Sequence, residues 1–365
     1  MIDFEPTEEQ QLIVETVRQF ATNEIRKMAR EADEAAALPA AVLERAHELG
    51  LVANALPEAY GGGGARSAVT GALAAEELAY GDLSIALAVL SPALLAFPIA
   101  DFGSEEQKRS WLPRFTGERY RPGSLALIEP SFRFDPLRPA TTAKRDGSEY
   151  VLDGVKCFVP WQEGAEGLLV IAAEEGRPQG FLVPGSAPGL SAAREKNLGI
   201  RALPTAELSL RGVRVPASAK LGGEGVDGAK AVRDILNRGR VALAACAVGV
   251  ARAAFEIARD YAKERETFGA PIATRQAIAF KLADMAIEID GARLLAWEAA
   301  WKIDQGQDAT RESTLARHQA QRVALEAADG AVQVLGGHGY IREYLPEMHL
   351  RNARGFCTFE ALSLI

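Results

Sequence analysis

Apolar and polar positions along the chain change period twice. Up to about Arg121 the apolar residues recur at helical spacing, from Ser124 to Val215 they alternate, and from about Val226 the helical spacing returns. The first block opens on Pro6-Thr7-Glu8-Glu9-Gln10, a capping box in which the Thr7 hydroxyl and the Gln10 side chain each satisfy backbone N–H groups left free at a helix start. Ile13, Val17, Phe20 and Ile25 supply the stripe behind it. Further helices are predicted over 39–49, ending at Gly50, and over 68–78, 84–102 and 105–115. Between them Leu56-Pro-Glu-Ala-Tyr-Gly-Gly-Gly-Gly reads as a turn, because no strand leads in and no Lys-Ser/Thr follows as a phosphate loop requires.

The alternating block predicts strands over 124–129, 140–146, 150–159, 167–173, 180–183, 190–195 and 207–215, with Asp146-Gly147 and Asp153-Gly154 as hairpin turns. Short strands at this spacing indicate a small antiparallel barrel or sandwich. Pro216 and Gly222-Gly223-Glu224-Gly225 end it. Long helices follow over 226–263, 274–305 and 308–335, with one buried face marked by Ile278, Leu282, Met285 and Ile289. Helices of about thirty residues pack as bundles. The expected fold is mainly α with a β middle domain: an N-terminal helical domain (1–122), a small β-barrel (123–222) and a C-terminal four-helix bundle (223–365).

Composition narrows the function. With 365 residues, 48% hydrophobic and 25% charged, the chain has enough apolar surface for a large core. Lys and Arg number 41 against 49 acidic residues, a net charge of -8, so no general field favours nucleic acid or an anionic membrane, and an anionic cofactor must be held by local donors. Cys157, Cys246 and Cys357 are far apart and fit a reducing, cytoplasmic setting better than a disulfide framework or zinc site; the four histidines form no ligand cluster in sequence. No charged-then-apolar leader opens the chain, and no window is expected to approach the roughly 18 apolar residues of a membrane span.

The candidate chemistry lies near the C-terminus. A glutamate set between Phe359 and Ala361-Leu362 is expected to be partly desolvated, which makes a carboxylate a stronger proton acceptor than a surface one. On residue type alone, a helix-end glutamate facing water is the more ordinary reading of Glu360. The run Gln333-Val-Leu-Gly-Gly-His-Gly-Tyr-Ile-Arg-Glu-Tyr, with Leu350-Arg-Asn-Ala-Arg and the Phe359-Glu360 pair after it, resembles the C-terminal signature of the acyl-CoA dehydrogenase family. Helical block, β block and helical bundle is also that family's order.

The resemblance implies that Glu360 removes the α-proton of an acyl-CoA thioester, that Gln333 and Gly337 touch FAD, and that Arg240, in Asn237-Arg-Gly-Arg, lines the acyl-CoA site. Gly336-Gly337-His338-Gly339 follows a helix and not a strand, so it is no Rossmann loop. Arg265-Glu-Thr-Phe268-Gly-Ala-Pro-Ile-Ala-Thr-Arg-Gln276 is similar to the family segment that reaches a neighbouring subunit's FAD, with Arg265 on the pyrophosphate, Phe268 against the nucleotide and Gln276 near the adenine. Gly239 stands where some branches carry the catalytic glutamate, which leaves Glu360 as the candidate base.

Three flavin segments depart from the family pattern. Where it reads Thr-Glu-Pro-x-Ala-Gly-Ser-Asp, this chain has Ile128-Glu-Pro-Ser-Phe132-Arg-Phe134-Asp135; where it reads Gly-x-Lys-x-Trp-Ile-Thr/Ser-Asn, it has Gly154-Val-Lys-Cys-Phe158-Val-Pro160-Trp161. Phe158 can serve as an apolar flavin wall, but Pro160 has no donor to replace the hydroxyl. Ala361-Leu362 follows Glu360 where the family has Gly-Thr. Two readings follow: an FAD-dependent acyl-CoA dehydrogenase, the one preferred, or an FAD-poor subunit of a heteromeric dehydrogenase. A helical structural protein would leave both matched segments as coincidence. Implied partners are an acyl-CoA substrate, an electron-transfer flavoprotein or similar acceptor, and a homodimer, homotetramer or heteromer with a second dehydrogenase chain.

Overall fold

The computed structural model describes residues 5–64, 66–162, 165–356 and 359–365. Helix α1 (Glu8–Phe20) starts with the expected capping box: Gln10 N donates to Thr7 Oγ1 at 3.2 Å and Thr7 N to Gln10 Oε1 at 3.0 Å. A π-turn at Ala21–Ile25 carries it into α2 (Arg26–Ala35), and α3 (Ala40–Glu48) and α4 (Ala68–Gly81) follow. The single helix expected over 84–102 is two, α5 (Leu83–Val89) and α6 (Ala93–Phe102). Pro92 lacks the N–H that would continue the ladder, so the axis breaks at Ser91-Pro92. Helix α7 (Glu105–Trp111) completes the block.

The middle segment forms one seven-stranded sheet in the order β1-β4-β2-β3-β7-β6, with β5 beside β4. The strands are β1 (Leu125–Ala126), β2 (Thr142–Asp146), β3 (Glu149–Pro160), β4 (Gly167–Glu174), β5 (Arg177–Pro184), β6 (Leu190–Arg194) and β7 (Thr205–Pro216). The sheet is not wholly antiparallel, since β4 runs parallel to β1 and to β2. Gly147 turns the β2–β3 hairpin as expected, but Asp153-Gly154 is no turn: it lies inside β3 at a register shift. A Cβ on Gly154 would stand 2.7 Å from the Thr141 backbone, so glycine allows the bulged strand to pass close.

Helix α8 (Gly228–Glu264), a hairpin of β8 (Glu266–Thr267) and β9 (Ala270–Pro271), α9 (Gln276–Asp304), α10 (Thr310–Leu335), the short α11 (Gly337–Tyr340) and α12 (Pro346–Phe356) make up the rest. Two stretches are, against expectation, long and apolar enough to cross a membrane, Leu83–Phe102 and Gly228–Glu264; 94% and 78% of their most apolar windows are buried inside the protein, so their character is that of core helices.

Glu76 and Glu77 of α4 tie four helices together. Glu77 meets Arg18 of α1 at 2.8 Å, while Glu76 meets Arg252 of α8 and Arg293 of α9, each at 3.0 Å. Burial pushes the Glu77 carboxyl up, but Arg252 and Arg18 outweigh it and hold it below the ordinary carboxylate range. Opposite them α8 carries Gly249, where a Cβ would lie 2.2 Å from the Glu76 carbonyl.

Candidate active site

Glu360 stands just beyond α12, among Phe359, Ala361 and Leu362, all buried. Its own side chain keeps 17% of its exposure, the partial desolvation that the sequence suggested. Arg240 of α8 faces both carboxylate oxygens, Nε to Oε2 at 3.3 Å and Nη2 to Oε1 at 3.4 Å, and Arg317 of α10 reaches Oε1 at 3.4 Å. These contacts exceed the 2.7–2.9 Å typical of a tight charge-assisted bond, so the carboxylate is bracketed rather than clamped. Arg240 is anchored in turn by donating to Thr314 Oγ1 at 2.9 Å. Gly239 lets this segment rest on α8: a Cβ there would stand 3.2 Å from the Glu360 carbonyl and 3.4 Å from Leu364.

The β domain meets Glu360 through aromatic rings. Phe158 and Phe359 have centroids 4.0 Å apart, tilted by 31°. Phe158 is set by a second irregularity in β3, between Lys156 and Val159, and takes a left-handed φ of 53°; its N–H donates to Glu195 Oε1 at 3.1 Å. A bulge that turns one side chain out of the sheet is a common device beside functional sites. Ile128 is half-buried next to it, its carbonyl accepting the Cys157 N–H at 2.9 Å. Pro160 is buried at the end of β3, opposite Thr205, where its carbonyl accepts the Ser124 hydroxyl. Of the two unexpected aromatics, Phe132 is fully exposed and fills no site, while Phe134 is half-buried against the main core.

Under these residues lies a buried ion pair. Lys156 Nζ donates to Glu129 Oε1 at 2.8 Å and to the Leu127 carbonyl at 3.0 Å, and Glu129 also accepts the Ala140 and Thr141 N–H groups. Burial raises the Glu129 carboxyl, yet the Lys156 ammonium and the Thr141 N–H hold it below its ordinary range. The pair pins the loop carrying Ile128 and Phe134 to the strand carrying Phe158.

A second cluster forms elsewhere. Arg265, at the end of α8, and Gly337 line one groove of about 510 Å³ with Tyr261, Thr267, Arg275, Gly336 and His338 among its walls. Among the described residues no carboxylate lines it, in a protein of net charge -8, so the groove suits an anion. Phe268 caps the β8–β9 hairpin, exposed, with a φ of 52°; Gln276 opens α9 and Gln333 closes α10, both also exposed. These three flank the groove without lining it. The sequence-selected residues thus fall into two places in one chain, a base cluster and an anion groove.

Family models cover nearly the whole chain in the same order as its architecture: acyl-CoA dehydrogenase N-terminal domain over 7–118, middle domain over 124–213 and C-terminal domain over 226–360. The chain belongs to the acyl-CoA dehydrogenase family. Probable acyl-CoA dehydrogenase YngJ of Bacillus subtilis is 39% identical, with 97% of this chain and 94% of that protein covered. The butyryl-CoA dehydrogenase structure from Megasphaera elsdenii superposes with a TM-score of 0.91 at 32% identity, covering 98% of this chain and 96% of that one. A glutaryl-CoA dehydrogenase of Mycobacterium smegmatis in complex with FADH2 gives 0.89 at 33%, covering 97% and 91%.

The groove fits the dinucleotide of an acyl-CoA dehydrogenase, having two guanidiniums for a diphosphate and glycines at Gly336 and Gly337 that leave open space beside the backbone. The aromatic wall at Phe158 fits a flavin ring. Sequence reasoning missed Arg317, Glu195 and the Lys156–Glu129 pair. Arg317 carried a signal, being a cation among the small buried positions Ala316 and Ala320 of α10.

Proposed function

We propose that this chain is an FAD-dependent acyl-CoA dehydrogenase that converts an acyl-CoA thioester to the trans-2-enoyl-CoA, with Glu360 as the base that takes the α-proton. The observation that carries this reading is Glu360 itself: a half-buried carboxylate, bracketed by Arg240 and Arg317, beside the Phe158–Phe359 wall. FAD, when bound, accepts the hydride equivalent that leaves the β-carbon. Ile128, Phe134, Phe158 and Pro160 form the apolar side of the flavin site. Arg240 lines the acyl-CoA site and orients Glu360 toward the thioester. In a well-oriented pair, proton removal and hydride departure proceed on opposite sides of one carbon–carbon bond, which is why both halves must be held at once.

Arg265, Phe268, Gln276, Gln333 and Gly337 hold the dinucleotide; Arg265 and Gly337 share one groove, so all five serve the same FAD, that of the neighbouring subunit. An exposed Phe268 and an apolar stripe on α9, with Phe280, Ile287 and Leu294 each exposed and seven residues apart, support an oligomer of this chain. A strictly monomeric species in sedimentation at all concentrations would refute that part. Electrons pass onward to an electron-transfer flavoprotein or similar acceptor.

Glu360→Gln tests the base. The variant should keep the wild-type flavin content and lose acyl-CoA-driven bleaching of the flavin band by at least ~10²-fold, the lower range for a general base. Bleaching at the wild-type rate would exclude the role.

A further inference from the structure

The anion groove contains an imidazole, that of His338, held by two tyrosines. His338 Nδ1 lies 2.8 Å from the Tyr261 hydroxyl, and the same tyrosine ring meets the imidazole edge-on at 5.8 Å. Tyr344 stacks on its other side at 5.0 Å with the planes 17° apart, and the Tyr344 carbonyl accepts Arg30 Nη2 at 2.8 Å. The imidazole is therefore fixed by a hydrogen bond, an edge contact and a stack. A side chain ordered before its ligand arrives loses less entropy on binding.

We propose that His338, with its tautomer set by Tyr261, donates its Nε2–H to the diphosphate of the dinucleotide in this groove. When the phenol O–H donates to Nδ1, the neutral imidazole carries its proton on Nε2. Nε2 is the remaining polar atom of a groove-lining side chain, and its neighbours in the lining are the guanidiniums of Arg265 and Arg275, with no carboxylate among the described lining residues to compete. Two cations and a fixed N–H donor match the oxygens of a diphosphate, whose charge is spread over both phosphates. The inference rests on the flavoprotein reading and goes beyond it, since His338 and Tyr261 hold no role in that reading.

Titration of FAD and of ADP into apoprotein tests it, with riboflavin as the ligand that lacks phosphate. His338→Leu should weaken FAD and ADP alike, about tenfold, equivalent to one charge-assisted hydrogen bond, with riboflavin binding unmoved. Tyr261→Phe should weaken both in the same direction by a smaller factor, because the imidazole is then free to place its proton on either nitrogen. Phosphorus NMR of bound ADP should shift between wild type and either variant. Should His338→Leu fold poorly, Tyr261→Phe and the phosphorus resonances still decide. FAD and ADP affinities equal to wild type in both variants, with unshifted resonances, overturn the inference and leave the flavoprotein reading standing. No binding of FAD or ADP by wild type overturns both.

Discussion

Helix α12 delivers the chain to Glu360, and it is moored by charges. Arg351 donates from Nη1 and Nη2 to the two oxygens of Asp33 in α2, at 2.9 and 2.7 Å, and from Nε to Glu347 at 2.7 Å. Asp33 is 4% exposed, and its other cations, Arg30 and Arg201, stand at 3.9 Å. Replacing Arg351 by Met keeps the aliphatic stem but leaves a buried carboxylate without a close donor. Breaking a buried pair from one side costs about 3–5 kcal/mol, and the two cations left nearby place Arg351→Met at the low end, about 3 kcal/mol. Asp33→Asn alone should cost less, because the guanidinium retains Glu347. The double variant should therefore recover about 2 kcal/mol relative to the sum of the singles. Urea unfolding of the flavin-loaded proteins measures this, and bleaching by acyl-CoA should fall in Arg351→Met while FAD affinity holds. Additive effects within about 0.5 kcal/mol, or an unchanged Arg351→Met, would refute the mooring.

The same helix carries an acid-sensitive site. His349 is buried, and that burial, with Arg26 and Arg30 nearby, pushes its imidazole down from 6.5 to about 3. In the unfolded chain His349 takes up its proton as pH falls below 6.5 while the folded chain resists it, so stability is full above that value and lost toward pH 3. The gap corresponds to about 5 kcal/mol. His349→Gln should flatten melting temperature against pH across this window, and an unaltered acid limb would assign the sensitivity elsewhere.

Much of the architecture was legible because each element carried its own signal. The capping box at Thr7–Gln10, the long apolar stripes of α8 to α10 and the alternation of β3 and β7 are local patterns. Where a signal depended on a distant partner, reading failed. Asp153-Gly154 has the composition of a turn, and only the nearness of Thr141 makes it a bulge. The parallel pairings of β4 are set by how the chain crosses the sheet, which period-two alternation does not encode. Phe132 departs from the small residues of the family segment in sequence and points to solvent in the fold. The candidate site divided in the same way: Glu360, Arg240 and Arg265 were selected through motifs, whereas Arg317, Glu195 and the Tyr261–His338 contact join segments tens of residues apart.

Mixing flavin-loaded wild-type protein with a saturated acyl-CoA such as butyryl-CoA, in the absence of oxygen, tests the central claim most directly. The account predicts loss of the oxidised flavin band with one trans-2-enoyl-CoA formed per flavin reduced. A chain that binds flavin fully and leaves the band untouched across short, medium and long acyl-CoA thioesters would contradict it.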